Sequence, residues 1–324
     1  LSRDIDRNHI FNNSWGPEDD GQLNKPASGW TAFNDTLAKG LSKGRNGLGV
    51  LYVFSGGNGA WEGDYSSADS ATSSRGAITV CATDAAGERA PYSERGSNLT
   101  VCAPSGRSTT PATAPEITTT SVKDKYTDDF GGTSASAPMV SGVAALMLQA
   151  NPRLTWRDVP LILARTARQV DVSKGGWSEL RSPLAGVTGH DVLRYSHHYG
   201  FGVVDAEAAT RLARTWQSVG GSAEQRKCGP FRMQVGKRIP EADIVAQQQA
   251  GSTSRAMAEG SVEQKYFDAL TALADRLDYN KAPTGGVSSA ITVPASCNLQ
   301  HIEHIDVNLT VTGDDGRSEH PNAG

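Results

Sequence analysis

The sequence predicts an α/β fold, a parallel sheet with helices on both faces, and three observations carry that reading. Short apolar runs break into glycine-rich or polar corners: "VLYVFSGGNG" (Val50–Gly59), "GAITVCATD" (Gly76–Asp84) and "NLTVCAPSG" (Asn98–Gly106). Segments with helical spacing alternate with them. Beyond them runs "GGTSASAPMVSGVAALMLQ" (Gly131–Gln149), whose apolar part is too long for a strand. Strands alternating with helices build parallel sheets, and such sheets carry functional loops at the carboxyl ends of their strands.

Taken in order, "WTAFNDTLAKGLSKGRNGLG" (Trp30–Gly49) is helical, with Phe33, Leu37 and Leu41 on one face and Gly44 as a stop. The three strands follow, the first two separated by the polar, acid-bearing loop "AWEGDYSSADSATSSR". From Met139 to Leu148 nearly every residue is apolar or small, so this helix is expected to be covered on all sides. "LTWRDVPLILARTARQV" (Leu154–Val170) starts a further helix, with Thr155 as N-cap and Asp158 in the first turn. "YGFGVVDAEAATRLARTW" closes the large domain with a turn and a helix. Past Trp216 the chain turns polar and rich in Gln, Ser and Ala, then carries a one-sided helix at Val262, Tyr266, Leu270, Leu273 and Leu277. "HIDVNLTVT" alternates as a half-buried strand, and a lone strand marks the start of a β domain. The expected domains are 1–217 (the α/β domain), 218–287 (an insertion) and 288–324 (the start of the β domain).

A chain of 324 residues with net charge −4 gives no basic surface for nucleic acid or an anionic membrane, and no apolar run is of membrane-spanning length. It opens at Leu1 with the polar "LSRDIDRNH", where no signal peptide is visible, and ends in "GDDGRSEHPNAG"; the expectation is a piece of a longer polypeptide. Cys81, Cys102, Cys228 and Cys297 include no CxxC pair, so two disulfides or four buried thiols are open.

Ser134 sits where a helix begins, behind Gly131, Gly132 and Thr133, with Pro138 tolerated in the first turn. Free N–H groups there offer positive potential, and the serine's own N–H is a ready oxyanion donor. From composition alone an ordinary N-cap serine fits as well. A phosphate loop does not, because no Lys follows the glycines.

The wider pattern decides between the two. "GTSASAPMVSGVAALMLQANPRLTWRDV" closely resembles the nucleophile segment of subtilisin-like serine proteases, in its kexin/furin (proprotein convertase) form. "NSWGPEDDG" (Asn13–Gly21), "SGGNG" (Ser55–Gly59), "YSERG" (Tyr92–Gly96) and "HHYGFGVVDA" (His197–Ala206) are similar to other segments of that branch, in its order. The likeness runs from Asn8 to Cys228 and resumes near Ala290, where the chain resembles the start of the family's P domain, a β-sandwich or jelly roll.

The resemblance implies a subtilisin-like fold and an endopeptidase that forms an acyl-enzyme on Ser134, with Asn58 completing the oxyanion hole. Loss of one such donor costs about 3–4 kcal/mol of barrier. By position, Asp19 and Asp69 line the S1 pocket, while Asp19, Asp64 and Glu94 hold calcium beneath it. Ser14, Trp15 and Gly16 form the edge on which substrate pairs as a strand, with Gly57 also on the substrate side. Clustered carboxylates repel unless a hard cation neutralises them, and the remaining negative face selects a long cationic side chain. The partners that the resemblance implies are peptides cleaved after Arg or Lys, at dibasic sites, and a propeptide in the full-length protein.

The implied location is secreted or membrane-associated within the exported compartment. Cys228 and Cys297 match a family disulfide; for Cys81 and Cys102, a bridge and two buried thiols stay open. "QLNKP", with Lys25, stands where the branch often has an acid for a P4 arginine, so nothing is implied about P4.

A serine nucleophile needs a histidine oriented by a carboxylate. None of His9, His190, His197, His198, His301, His304 and His320 lies in an HGT-type context, and no base is assigned. In the family both partners precede "SWGPEDDG", so this chain alone is expected to be inert. The alternative is a catalytically dead subtilisin-like domain that serves as a binding module.

Overall fold

A computed structural model describes residues 1–19, 30–106, 116–181, 192–226, 228–229, 297, 311–312 and 318–319. The chain divides into one unit of Leu1–Gln225 with His304–Gly324 and another of Arg226–Glu303. The expected helix at Val262–Leu277, the segment with Lys25 and most of the β-domain start lie outside the described residues.

Four parallel strands form the main sheet in chain order: β1 (Ile10–Asn13), β2 (Leu51–Ser55), β3 (Ala77–Thr83) and β4 (Leu99–Pro104). Every residue of β2 is buried, which is why it reads as one apolar run without alternation. The sheet is covered on both faces, as expected. On one face Phe11 pairs in register with Tyr52 and stacks on it at 5.4 Å, and Phe33 of α1 (Trp30–Lys43) packs on Phe54 at 6.4 Å. Gly40 lets α1 approach: a Cβ there would overlap the Tyr52 hydroxyl. On the other face Asn12 pairs with Val53, and Ser141 of α2 (Thr133–Ala150) donates to Asn12 Oδ1 at 3.0 Å. Helix α2 packs against all four strands.

The expectation that α2 is covered all round is corrected. Pro138, Gly142, Ala145, Leu146 and Gln149 are exposed, Leu146 by 47%, and they recur at helical spacing. A small-residue helix hides its polarity pattern, because Gly and Ala sit on either face at little cost.

α3 (Asp158–Thr166) begins later and ends earlier than expected, and its N-cap position is Arg157 and not Thr155, although Thr155 and Asp158 bond each other just ahead of it. Asp158 Oδ2 accepts from Thr155 N (2.7 Å) and Thr155 Oγ1 (2.9 Å), while Asp158 N reaches Thr155 Oγ1 at 3.4 Å. The buried Asp158 carboxylate also accepts from Trp216 Nε1, Ser218 Oγ and Val219 N, tying down the segment after α4 (Ala206–Thr215). Asp205 caps α4 through Ala208 N at 2.8 Å.

Two hairpins escaped the sequence reading: β5 (Ile117–Ser121) with β6 (Lys125–Phe130), and β7 (Ser178–Arg181) with β8 (Val192–Tyr195); β9 (Val311–Thr312) is the end of the strand read in "HIDVNLTVT", and only its partner β10 (Ser318–Glu319) was not expected. Asp128 and Asp129 are exposed and belong to β6. Cys81 and Cys102, opposite each other on β3 and β4, form a disulfide, which settles the open choice. Cys228 and Cys297 form a second, within the unit Arg226–Glu303.

Candidate active site

The site lies at the carboxyl ends of β1 and β2, where the amino terminus of α2 meets them. β1 runs out into Ser14–Trp15–Gly16, and β2 into Gly56–Gly57–Asn58. Gly132, just before α2, holds φ +77° and ψ 168°, a conformation open essentially to glycine alone. That turn presents Thr133 to the β2 corner.

Asn58 Oδ1 accepts both the backbone N–H of Thr133 at 2.8 Å and its hydroxyl at 2.9 Å, and Thr133 Oγ1 accepts Gly57 N at 3.2 Å. With its oxygen committed, Asn58 has its Nδ2 donor to offer to a ligand in the cleft that it lines together with Ser134. The hydroxyl of Ser14 donates to the carbonyl of Ser134 at 3.0 Å, which joins the end of β1 to the first turn of α2.

The same cleft is lined by Trp15, Gly16, Gly57, Asp19, Asp69, Asp64 and Glu94. Every sequence-predicted site residue is therefore in this wall, except Ser14, which is bonded to it. Glu18, Ser55, Tyr65 and Ala68 also line the cleft and were not singled out from the sequence. Glu18 was in view inside "GPEDDG", while Tyr65 and Ala68 sit between the two picked aspartates. Thr133 was also missed, although the "GGTS" motif contains it.

No imidazole lines the cleft among the described residues. His9 precedes β1, at the end of the strand away from Ser14, with its carbonyl bonded to Leu51 N at 2.9 Å. His197 and His198 serve the fold; the carbonyl of His197 accepts Gly96 N at 2.9 Å. His190, His301, His304 and His320 lie outside the described residues.

Asp19, Asp64 and Glu94 bring carboxylate oxygens within 4.8 Å of one another. Glu94 is only 5% exposed and accepts Gly59 N at 3.0 Å. Burial, and then the charges of Asp64, Asp19 and Asp69, push its carboxyl up to about 8. Burial also raises Asp69, against backbone hydrogen bonds from Ala71 and Thr72. Asp19 Oδ1 reaches Asn58 N at 3.4 Å. A Cβ on Gly57 would overlap the Glu94 carboxylate, and one on Gly59 that of Asp64, so both glycines keep the room that the cluster occupies. Three hard oxygen donors that repel one another fit a divalent cation of the calcium type.

Parallel sheet, serine-bearing helix terminus and acid-lined cleft together define a subtilisin-like domain. The chain belongs to the Subtilase family, whose model matches residues 3–202. Among curated proteins it is 37% identical over 215 residues to Protease KEX1 of Kluyveromyces lactis, covering 66% of this chain and 26% of that protein. It is 40% identical over 214 residues to proprotein convertase subtilisin/kexin type 6 of Rattus norvegicus, covering 65% and 21%. The chain thus spans about a quarter or less of the length of these relatives. The crystal structure of a serine protease of Aeromonas sobria shares the fold, with a TM-score of 0.55 at 23% identity over 66% of this chain and 44% of that one.

Proposed function

We propose that this chain is the nucleophile-bearing part of a kexin/furin-type serine endopeptidase that cuts after Arg or Lys, with dibasic sites preferred. One observation carries the reading: Ser134 and Asn58 line the same cleft as Asp19, Asp64, Asp69 and Glu94. A hydroxyl beside an amide donor suits acyl transfer, and the acid wall suits a cationic P1 side chain, with Arg favoured for its fork of donors.

In this mechanism Ser134 Oγ attacks the scissile carbonyl and forms an acyl-enzyme. The oxyanion is held by Ser134 N–H and Asn58 Nδ2, and the amino terminus of α2 adds favourable potential. Ser14, Trp15 and Gly16 hold the substrate backbone as an added strand, and Gly57 leaves room at the pocket rim. Asp19 and Asp69 face the P1 charge. Asp19, Asp64 and Glu94 would hold calcium, which supplies the positive charge that lets these acids coexist. The proton of Ser134 needs an imidazole, and none of the described residues supplies one at the cleft. The two disulfides support an exported, oxidising location.

Peptides ending in Arg, Ala or Glu test this reading by equilibrium binding to the purified chain with calcium. Binding of the Arg peptide should be at least about tenfold tighter, and Asp69→Asn should erase the difference. Equal binding of all three would overturn the specificity. Ser134-dependent cleavage by the chain alone would overturn its inertness.

A further inference from the structure

We infer that Tyr92 is a positioning residue for the catalytic pair, its phenol and its backbone holding the nucleophile loop and the oxyanion turn in fixed relation. The inference rests on the reading of Ser134 as nucleophile and Asn58 as oxyanion donor.

Tyr92 is 3% exposed and packs with Ala82 and Ala90. Its phenol oxygen accepts the N–H of Gly132 at 3.1 Å and donates to the carbonyl of Gly106 at 2.6 Å. Ser105 Oγ, 3.0 Å from that phenol oxygen, donates to the carbonyl of Gly132 at 2.8 Å. Gly132 is thus gripped at both its N–H and its C=O, by side chains from the β3–β4 connection and from the residue that follows β4. This is the residue held at φ +77° and ψ 168°, a conformation that persists only where its surroundings impose it. The next residue, Thr133, fixes the Asn58 amide oxygen with two bonds, and the one after is Ser134.

Tyr92 grips the other half as well. Its carbonyl accepts Ala60 N at 3.2 Å, and its ring meets Trp61 edge-on at 6.4 Å, so the turn leaving Asn58 rests on it too. One residue touches both chain segments whose mutual placement decides whether an oxyanion meets two donors at once. Misplacement of a reacting group by about 1 Å costs on the order of a hundredfold in rate.

The test is Tyr92→Phe, which keeps the ring and the backbone carbonyl and removes the hydroxyl with its contacts to Gly132, Gly106 and Ser105. In the 324-residue chain labelled with 15N at Asn and Gly, the side-chain amide signals of Asn58 and the backbone signal of Gly132 should shift or broaden. Asparagines far from the cleft, such as Asn151, should not change. In a longer form of the protein that turns over peptide, kcat should fall about ten- to a hundredfold with KM within about twofold. If Tyr92→Phe does not fold, Ser105→Ala removes the other grip on Gly132 and should move the same signals. Unchanged Asn58 signals, or a rise in KM alone, would overturn the inference. Asn58→Ala separates it from its premise. If that variant keeps full turnover, the oxyanion reading fails whatever Tyr92 does. If it loses turnover while Tyr92→Phe loses none, only the positioning role fails.

Discussion

The carboxylate of Glu94 accepts the backbone N–H of Gly59 at 3.0 Å, tying the acid cluster to the turn that carries Asn58. The charge state of the cluster therefore bears on the geometry of the candidate oxyanion donor. Without metal, Glu94 titrates near 8 in the folded chain against 4.5 for the free group. A raised carboxyl stabilises the fold below 4.5, and that contribution is lost as pH rises through 8. Calcium should offset the loss. Thermal unfolding with calcium and with chelator should show a larger calcium-induced rise in Tm at pH 8 than at pH 5, and Glu94→Gln should shrink it. An equal rise at both pH values would refute the assignment of Glu94 as a ligand.

Gly57→Ala should weaken both fold and metal site. The residue sits at φ +102°, and the new methyl meets the Glu94 carboxylate. A cost of about 1–3 kcal/mol is expected from the backbone conformation. Urea unfolding would measure it, with calcium titration showing weaker binding in the same variant.

Asn58→Ala should lower kcat by about a hundred- to a thousandfold in a form that turns over peptide, as for loss of one oxyanion donor. KM should hardly move. A variant that changes KM alone would mean that Asn58 contacts the bound substrate and not the developing charge.

Much of this was legible in the sequence, and the failures are instructive. β2, β3 and β4 announced themselves because strands buried on both faces must be continuously apolar. β1 did not: Ile10–Asn13 has two apolar and two polar residues, too few to show a period. The Thr-rich β5 and the charged β6 lack an apolar face altogether. The site was readable because its residues cluster in short motifs at strand ends. Thr133 and Tyr92 lay inside the quoted motifs but were not singled out, because a residue that acts by holding its neighbours carries no chemistry of its own for a pattern to show.

His198 should make the fold acid-labile. Burial, then the charges of Arg89, Arg95 and His197, lower its imidazole to about 3 against 6.5 for the free group. A depressed histidine contributes stability that is full above 6.5 and is lost as pH falls toward 3. The urea midpoint should drop between pH 7 and pH 4, and His198→Gln should flatten that drop. An unchanged slope in the variant would assign the acid sensitivity to other groups.

Asp158→Ala should destabilise by about 3 kcal/mol or more, since it strands several buried donors at once. Asp158→Asn, which keeps the shape and some acceptor capacity, should cost less. Comparison of the two by chemical denaturation checks whether the carboxylate or merely the volume matters.

The strands of the main sheet lie side by side in the order in which they are synthesised, and α2, which spans all four, comes after them. A ribosome therefore releases the platform before it releases the alcohol that the platform supports. Ser134 thus emerges onto strands already made, while α3 and α4, the second of which packs on α2, are still to follow.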